Sequence, residues 1–260
     1  MRSVILAAGE GTRLRPYTDD RPKCLVPLGG RPLLEWQLDA LARAGIEDVC
    51  VVTGYRSELV AERGLRTVRN PDYAHTNMVA SLMCARECLD GSDDVLICYG
   101  DIVYEPRLID ALAAPESPVT IAVDVDWRRL WELRMADPLA DAETLRFDDG
   151  GLVTELGRVP SSYDDIEGQY VGLIAVQAAF APRLVRAYDS LDPEGSYEGR
   201  NRDRMFMTAF LQHLIDTGTP VGAARVSGGW LEVDTVDDLA VYEMLLGRDA
   251  LDPYVILERG

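Results

Sequence analysis

Unbroken apolar runs of strand length alternate with segments in which apolar residues recur at helical spacing. Residues 3–7, 49–53 and 94–99 are largely apolar and end in small or turn-forming residues, as strands buried on both faces do. Residues 33–44 carry apolar side chains every three or four positions, which predicts an amphipathic helix, and 57–63 and 78–88 read as further helices. Residues 66–69 form another strand that stops before the turn residues Asn70-Pro71-Asp72. Beyond Tyr104, residues 119–125 and 168–176 are strand-like, and Asp148-Asp149-Gly150-Gly151 marks a hairpin within 146–153. Helices over 183–190 and 204–217 flank a looser polar stretch, followed by short strands at 220–226 and 230–233 and a closing helix over 236–246. This rhythm predicts an α/β fold, a doubly wound Rossmann-like three-layer sandwich around a mixed, mostly parallel central sheet. The chain reads as one domain over residues 1–260, with halves at 1–103 and 104–260.

Composition narrows the partners. Hydrophobic residues make up 47% of the chain and charged residues 27%, which is ordinary globular usage. No apolar run approaches the ~20 residues of a membrane span. The apolar opening runs straight into a glycine turn without the h-region and cleavage site of a signal peptide, so a cytoplasmic location is expected. With 26 basic against 44 acidic residues the net charge is −18, which opposes binding to nucleic acid or to an anionic membrane. An anionic ligand would have to be met by a few concentrated basic residues or by a metal ion. Of the 26 basic residues one is lysine, Lys23. The five cysteines contain no C-x-x-C and the two histidines complete no zinc pattern, so the cysteines read as small buried apolar residues.

The first strand leads into Leu6-Ala7-Ala8-Gly9-Glu10-Gly11-Thr12-Arg13-Leu14. Small residues after a strand let backbone amides approach a phosphate. The run is neither the dinucleotide fingerprint, whose third glycine would fall at Leu14, nor a P-loop, because it lacks the G-K-[ST] ending. Within fifteen residues of the turn come Arg13, Arg15 and Lys23. Asp101 follows a buried strand, where open α/β sheets place ligand groups. Glu232 and Asp234 stand two apart on an extended segment, which predicts that they share a face. Asp101, Glu232 and Asp234 could together hold one Mg²⁺, a hard ion that favours carboxylate and phosphate oxygens.

From Val4 to Leu33 the chain resembles the signature of the sugar-nucleotidyltransferase superfamily, L-A-A-G-x-G-T-R-L…P-K. The rest is most similar to small cytidylyltransferases that activate phosphocholine or phosphonates, through Val52-Thr-Gly-Tyr55, Asn70-Pro-Asp-Tyr73, Thr76-Asn77-Met78, Tyr99-Gly-Asp101, Ile166-Glu-Gly-Gln-Tyr170 and Gly229-Trp-Leu-Glu232-Val-Asp234-Thr. The resemblance implies that residues 1–103 bind the nucleotide through Leu6, Ala7, Ala8, Gly9, Gly11, Thr12, Arg13, Lys23, Asn77 and Gly100. Residues 104–260 would bind the acceptor and complete the metal site. Arg13 would meet the outer phosphates of CTP and Lys23 the phosphorus under attack; Asp101 and Asp234 would be the Mg²⁺ ligands, with Glu232 beside them. The implied reaction is attack by an acceptor phosphonyl or phosphoryl oxygen on the α-phosphorus, releasing pyrophosphate without a general base.

For the acceptor, Trp127, Trp131, Tyr170 and Arg134 are the candidate contacts. Six arginines near these segments (Arg128, Arg129, Arg134, Arg200, Arg202 and Arg204) favour 2-aminoethyl- or 2-hydroxyethylphosphonate over phosphocholine. Phosphocholine or a sugar 1-phosphate are the alternative acceptors, and a catalytically silent nucleotide-sensing protein is the alternative outside enzymes. No nucleic acid or membrane partner is expected, and a homodimer stays open.

Overall fold

The computed structural model of the chain describes residues 1–114 and 116–258. Among these residues seven strands form the central sheet: β1 (Arg2–Ala7), β2 (Val49–Thr53), β3 (Arg66–Arg69), β4 (Val95–Tyr99), β5 (Val119–Asp124), β6 (Gln169–Val176) and β7 (Val221–Val226). Their order is β7-β5-β6-β4-β1-β2-β3. Only β6 runs antiparallel to its neighbours; the other pairings are parallel. The halves at 1–103 and 104–260 thus contribute to one sheet, joined where β6 pairs with β4.

Among the described residues eight helices cover it: α1 (Leu33–Arg43), α2 (Ser57–Ala61), α3 (Met78–Cys84), α4 (Pro106–Leu112), α5 (Arg128–Arg134), α6 (Ala181–Asp189), α7 (Met207–Asp216) and α8 (Val236–Leu246). The two-residue period of a strand sends its side chains to opposite faces, and both faces are covered here. On β1, Ile5 and Ala7 join a core with Leu33, Leu108 and Tyr242, from α1, α4 and α8. Val4 and Leu6 join a second core with Leu82, Leu184 and Phe210, from α3, α6 and α7. These two cores make the three layers, and they explain why the central strands read as continuous apolar runs.

Several elements depart from the sequence expectation. Helices α4 and α5 were not expected. The first opens with Pro106 in its first turn, where proline's missing N–H costs nothing, and the second is four-sevenths charged with only Leu130 and Trp131 buried. The helix expected over 78–88 ends at Cys84 and a tight turn, Arg86–Leu89, follows it. Helix α7 begins at Met207 rather than 204, because Arg202–Arg204 form a separate turn. All five cysteines are unpaired and four are buried. Among the described residues no helix is long and apolar enough to cross a membrane.

Strand β1 lies between β4 and β2, and its chain crosses to β2 through α1 on one face while α3 feeds β4 from the other. That reversal opens a crevice at the carboxyl ends of β1 and β4, where open α/β sheets bind ligands.

Candidate active site

At the end of β1 the backbone turns through Gly11 in the left-handed region, with φ 65°. Leu14 N–H and the Thr18 hydroxyl both donate to the Gly11 carbonyl at 2.9 Å. A Cβ on Gly11 would lie 2.8 Å from Lys23 Cβ, so a bare backbone at this position lets the lysine pass beneath the turn. At the end of β4, Gly100 N–H donates to the Leu6 carbonyl, and a Cβ there would come within 2.6 Å of the same oxygen. These contacts bring Lys23 and Asp101 together from opposite sides of β1.

The second half returns through a small antiparallel pair, Trp230–Glu232 against Ile102–Tyr104. Val233 N–H then donates to the Asp101 carbonyl at 2.9 Å, and this bond sets Asp234 beside Asp101. Lys23 Nζ donates to Asp101 Oδ2 at 2.6 Å and to Asp234 Oδ1 at 2.7 Å, while Arg13 reaches Asp234 Oδ2 at 2.5 Å. Burial works against the Lys23 ammonium, but Asp101, Asp234 and Glu232 outweigh it and raise its pKa. Asp101 Oδ1 is buried without a hydrogen-bond partner.

Around this pair lies a cleft of about 290 Å³ lined by Leu6, Ala7, Gly9, Gly11, Thr12, Arg13, Lys23, Asn77, Gly100, Asp101 and Asp234, together with Cys24 and Met78. Of the nucleotide candidates only Ala8 does not line it; that residue is buried and its carbonyl accepts from Tyr55 N–H. Asn77 caps α3 through its side chain and donates to the Arg204 carbonyl, which ties the cleft's far wall to the 202–204 turn.

Of the three carboxylates expected at a metal, Asp101 and Asp234 meet at Lys23 and Glu232 lies against Arg134. Among the described residues no three His, Cys, Asp or Glu side chains are grouped to hold a metal ion. Glu232 and Asp234 line one cavity but take different partners: Glu232 Oε2 lies 2.8 Å from Arg134 NH1, whereas Asp234 bonds Lys23 and Arg13. Thr235 caps α8, through a reciprocal bond with Asp238.

A second cavity, of about 180 Å³, adjoins the first, and Arg13, Met78 and Asp234 line both. Its walls carry the rings of Tyr99, Trp131, Tyr170, Phe206 and Trp230 and the carboxyl groups of Asp141, Glu143 and Glu232. Trp131 Nε1–H donates to Asp141 Oδ2 at 3.2 Å. Gln169 brackets Glu143, accepting from its backbone N–H and donating to its carbonyl. Burial first, then the charges of Glu198, Asp141 and Glu232, pushes the Glu143 carboxyl up to about 7. The Tyr170 hydroxyl is buried and unpartnered.

Two expected acceptor contacts lie elsewhere. Trp127 is a core residue, stacked on Tyr163 and edge-on to Trp131. Arg134 is 3% exposed and spent on Glu232 and Asp238. None of the other five arginines lines the cavity: Arg128 and Arg129 cover Tyr163 and Tyr254, Arg200 covers Phe206, and Arg202 pairs with Asp203. Among the described residues Arg13 is the one basic residue in its wall. The arginine argument for a phosphonate therefore falls. Asp141 and Glu143 were missed because they lie between elements, where carboxylates ordinarily read as solvated loop residues, and Gln169, the first residue of β6, stood in a quoted stretch without a role of its own.

Residues 3–194 match the family described as the MobA-like NTP transferase domain. The CTP:phosphoglutamine cytidylyltransferase of Campylobacter jejuni is 37% identical over 251 residues, which span 93% of this chain and 98% of that protein. The CMP-5'-(3-aminopropyl)phosphonate synthase of Streptomyces rubellomurinus is 36% identical over 257 residues, 94% of this chain but only 37% of that longer protein. Among solved structures, the CTP:phosphocholine cytidylyltransferase of Streptococcus pneumoniae superposes with a TM-score of 0.66 at 23% identity, covering 94% of this chain and 98% of that one. At that identity the likeness speaks for the fold.

Proposed function

Since the chain belongs to the MobA-like NTP transferase family, we propose that it transfers CMP from CTP to a phosphonate or phosphate oxygen of a small acceptor with a cationic tail, releasing pyrophosphate. The observation that carries this reading is the meeting of two unlike cavities at Asp234. One is a glycine-walled cleft with Lys23 and Arg13, suited to phosphates; the other is acidic and aromatic, suited to an ammonium group.

The reaction follows from the junction. A nucleotide in the glycine cleft would direct its phosphates at Lys23 and Arg13, and an acceptor in the second cavity would direct its anionic head at Arg13 and the junction. The attacking oxygen is already an anion, so the chain needs no general base and supplies alignment and charge. Lys23 offers a compact positive charge close to the junction as negative charge builds on the α-phosphorus. Mg²⁺ fits Asp101 and Asp234, because the Asp101 Oδ1 lacks any other partner and this ion is commonly held by one or two carboxylates plus substrate phosphates. When bound it would neutralise phosphate charge.

Within the acceptor class the walls favour an amine. Asp141, Glu143 and the free Tyr170 hydroxyl can accept N–H bonds from a primary ammonium, and a hydroxyl tail would leave the carboxylates uncompensated. The reading is therefore 2-aminoethylphosphonate or a close homologue ahead of hydroxyethylphosphonate. Phosphocholine is the second reading, favoured by the five aromatic rings in the wall. Pyrophosphate release from each of the four nucleoside triphosphates with aminoethylphosphonate, hydroxyethylphosphonate, phosphocholine and glucose 1-phosphate tests both. CTP with aminoethylphosphonate is expected to lead; a preference for glucose 1-phosphate would sink the proposal.

A further inference from the structure

Arg134 was expected to touch the acceptor, yet it lies behind the cavity wall and joins three parts of the site. Its Nε and NH2 donate to the two oxygens of Asp238 at 3.0 and 3.2 Å, a two-pronged bond between side chains that are each 3% exposed. Asp238 Oδ2 also accepts from the backbone N–H groups of Asp234 and Thr235, at 3.0 and 2.9 Å. The guanidinium lies 5.4 Å from the centre of the Trp131 ring, which lines the acceptor cavity. Its remaining nitrogen, NH1, is buried 2.8 Å from Glu232 Oε2 but is not aligned for a hydrogen bond.

The asymmetry distinguishes this group from a simple buried tie between α5 and α8. Toward Asp238 the guanidinium makes two directed bonds, and through Asp238 it fixes the backbone that carries Asp234. Toward Glu232 it makes only an undirected charge contact. Glu232 is thus drawn to one place while its bonding capacity stays available to the cavity.

We infer that Arg134 is a positioning residue: it fixes the backbone of Asp234 through Asp238 and holds Glu232 in the acceptor wall, so that the tail of the acceptor and the reacting junction are set by one side chain. The inference rests on the acceptor reading above for its kinetic consequence, but not for its structural one.

Arg134→Lys keeps the charge and loses the fork, since a lysine cannot bond both oxygens of Asp238 in one plane and still face Glu232. The wild type, Arg134→Lys, Glu232→Gln and the double variant are compared by melting temperature, by amide hydrogen exchange at residues 234–235, and by kcat/KM with aminoethyl- and hydroxyethylphosphonate. Arg134→Lys is expected to fold, to lose protection at 234–235, and to lower the preference for the amine about tenfold. The double variant should lose no more preference than Glu232→Gln alone, because one acts through the other. Undisturbed exchange at 234–235, or additive loss of preference in the double variant, would overturn the inference. If Arg134→Lys does not fold, Asp238→Asn, which removes one acceptor oxygen, carries the same comparison. A wild type that turns over neither acceptor would remove the acceptor reading, and the exchange measurement alone would then decide whether Arg134 positions Asp234.

Discussion

The two cavities that meet at Asp234 are built in opposite ways. The nucleotide cleft is largely backbone: most of its wall comes from residues 6–24, where Gly9 and Gly11 leave amides bare, plus the end of β4 at Gly100 and Asp101. The acceptor cavity is largely side chain, drawn from β4, α5, the loop before β6, β6 itself, the start of α7 and the return strand. A triphosphate presents the same oxygens to every enzyme that binds it, and a short glycine-rich segment can meet them. An acceptor tail must be distinguished by shape and charge, and that takes groups from many directions.

The largest effect is expected where the two constructions join. Asp234 lines both cavities and bonds both basic groups, so Asp234→Ala removes their common anchor. Turnover should fall by more than the ~10²–10³-fold typical of losing one charge-stabilising group, with the melting temperature largely kept because Thr235 and Asp238 still cap α8. Excess chelator should have a similar effect on the wild type. Full turnover in chelator would break the assignment of Mg²⁺ to Asp101 and Asp234.

Lys23→Ala sharpens the comparison on the nucleotide side. If the ammonium answers charge that develops on the α-phosphorus, kcat should fall roughly a hundredfold, ~2.7 kcal/mol, with the KM for CTP moving far less. A variant that keeps kcat and only weakens CTP would assign Lys23 to ground-state binding.

These differences decide what could be read from the chain. The alternation of β1, β2 and β4 with α1 and α3 was legible because each strand is apolar on both faces and each helix on one. Ten residues in a contiguous motif and two other short segments predicted the nucleotide cleft, and nine of them line it. The acceptor side was legible only in part. Trp131 and Tyr170 line it, whereas Trp127, just before α5, turned inward, because nothing in Trp127-Arg-Arg-Leu-Trp131 says which ring meets the cavity. Arg134 is the plainest case. Its position among six arginines suggested an anion site, but its partners Glu232 and Asp238 lie about a hundred residues away, and no local pattern carries that pairing. Glu143 gave no signal at all until Gln169, 26 residues on, was seen to hold its backbone.

A pair of substitutions separates the two cavities with smaller effects. At Gly11 an alanine would be both strained, at φ 65°, and in collision with the Lys23 side chain. Gly11→Ala should raise the KM for CTP about tenfold while leaving the ratio of kcat/KM for amine and hydroxyl acceptors unchanged. Trp131→Ala should do the reverse, changing that ratio and the acceptor KM at nearly constant CTP affinity. If either substitution moves both parameters together, the cavities are not separable as their walls suggest.

The smallest expected effect is a pH dependence confined to one cavity. Glu143 is raised to about 7 by burial and by Glu198, Asp141 and Glu232, and burial likewise raises Glu232 to about 7, partly offset by Arg134. Below that pH the free protein holds these carboxyls largely protonated and neutral, and a cationic tail gains little from them. Raising the pH through about 7 ionises them, so the kcat/KM for aminoethylphosphonate relative to hydroxyethylphosphonate should rise and then level off. The loss on the acid side approaches tenfold per pH unit if a single ionisation governs it. Taking the ratio of two acceptors cancels titration of the nucleotide; the two phosphonates' own ionisations, which the ammonium sets apart, are titrated separately and divided out, and a primary amine stays protonated across the range. Because the two carboxyls lie in one cavity, the midpoint belongs to the pair. Glu143→Gln should therefore lower the plateau and shift the midpoint downward, since removing one carboxylate relieves the charge that holds the other up. A ratio that stays flat from pH 5.5 to 8.5 in the wild type would mean that the tail does not meet these carboxylates.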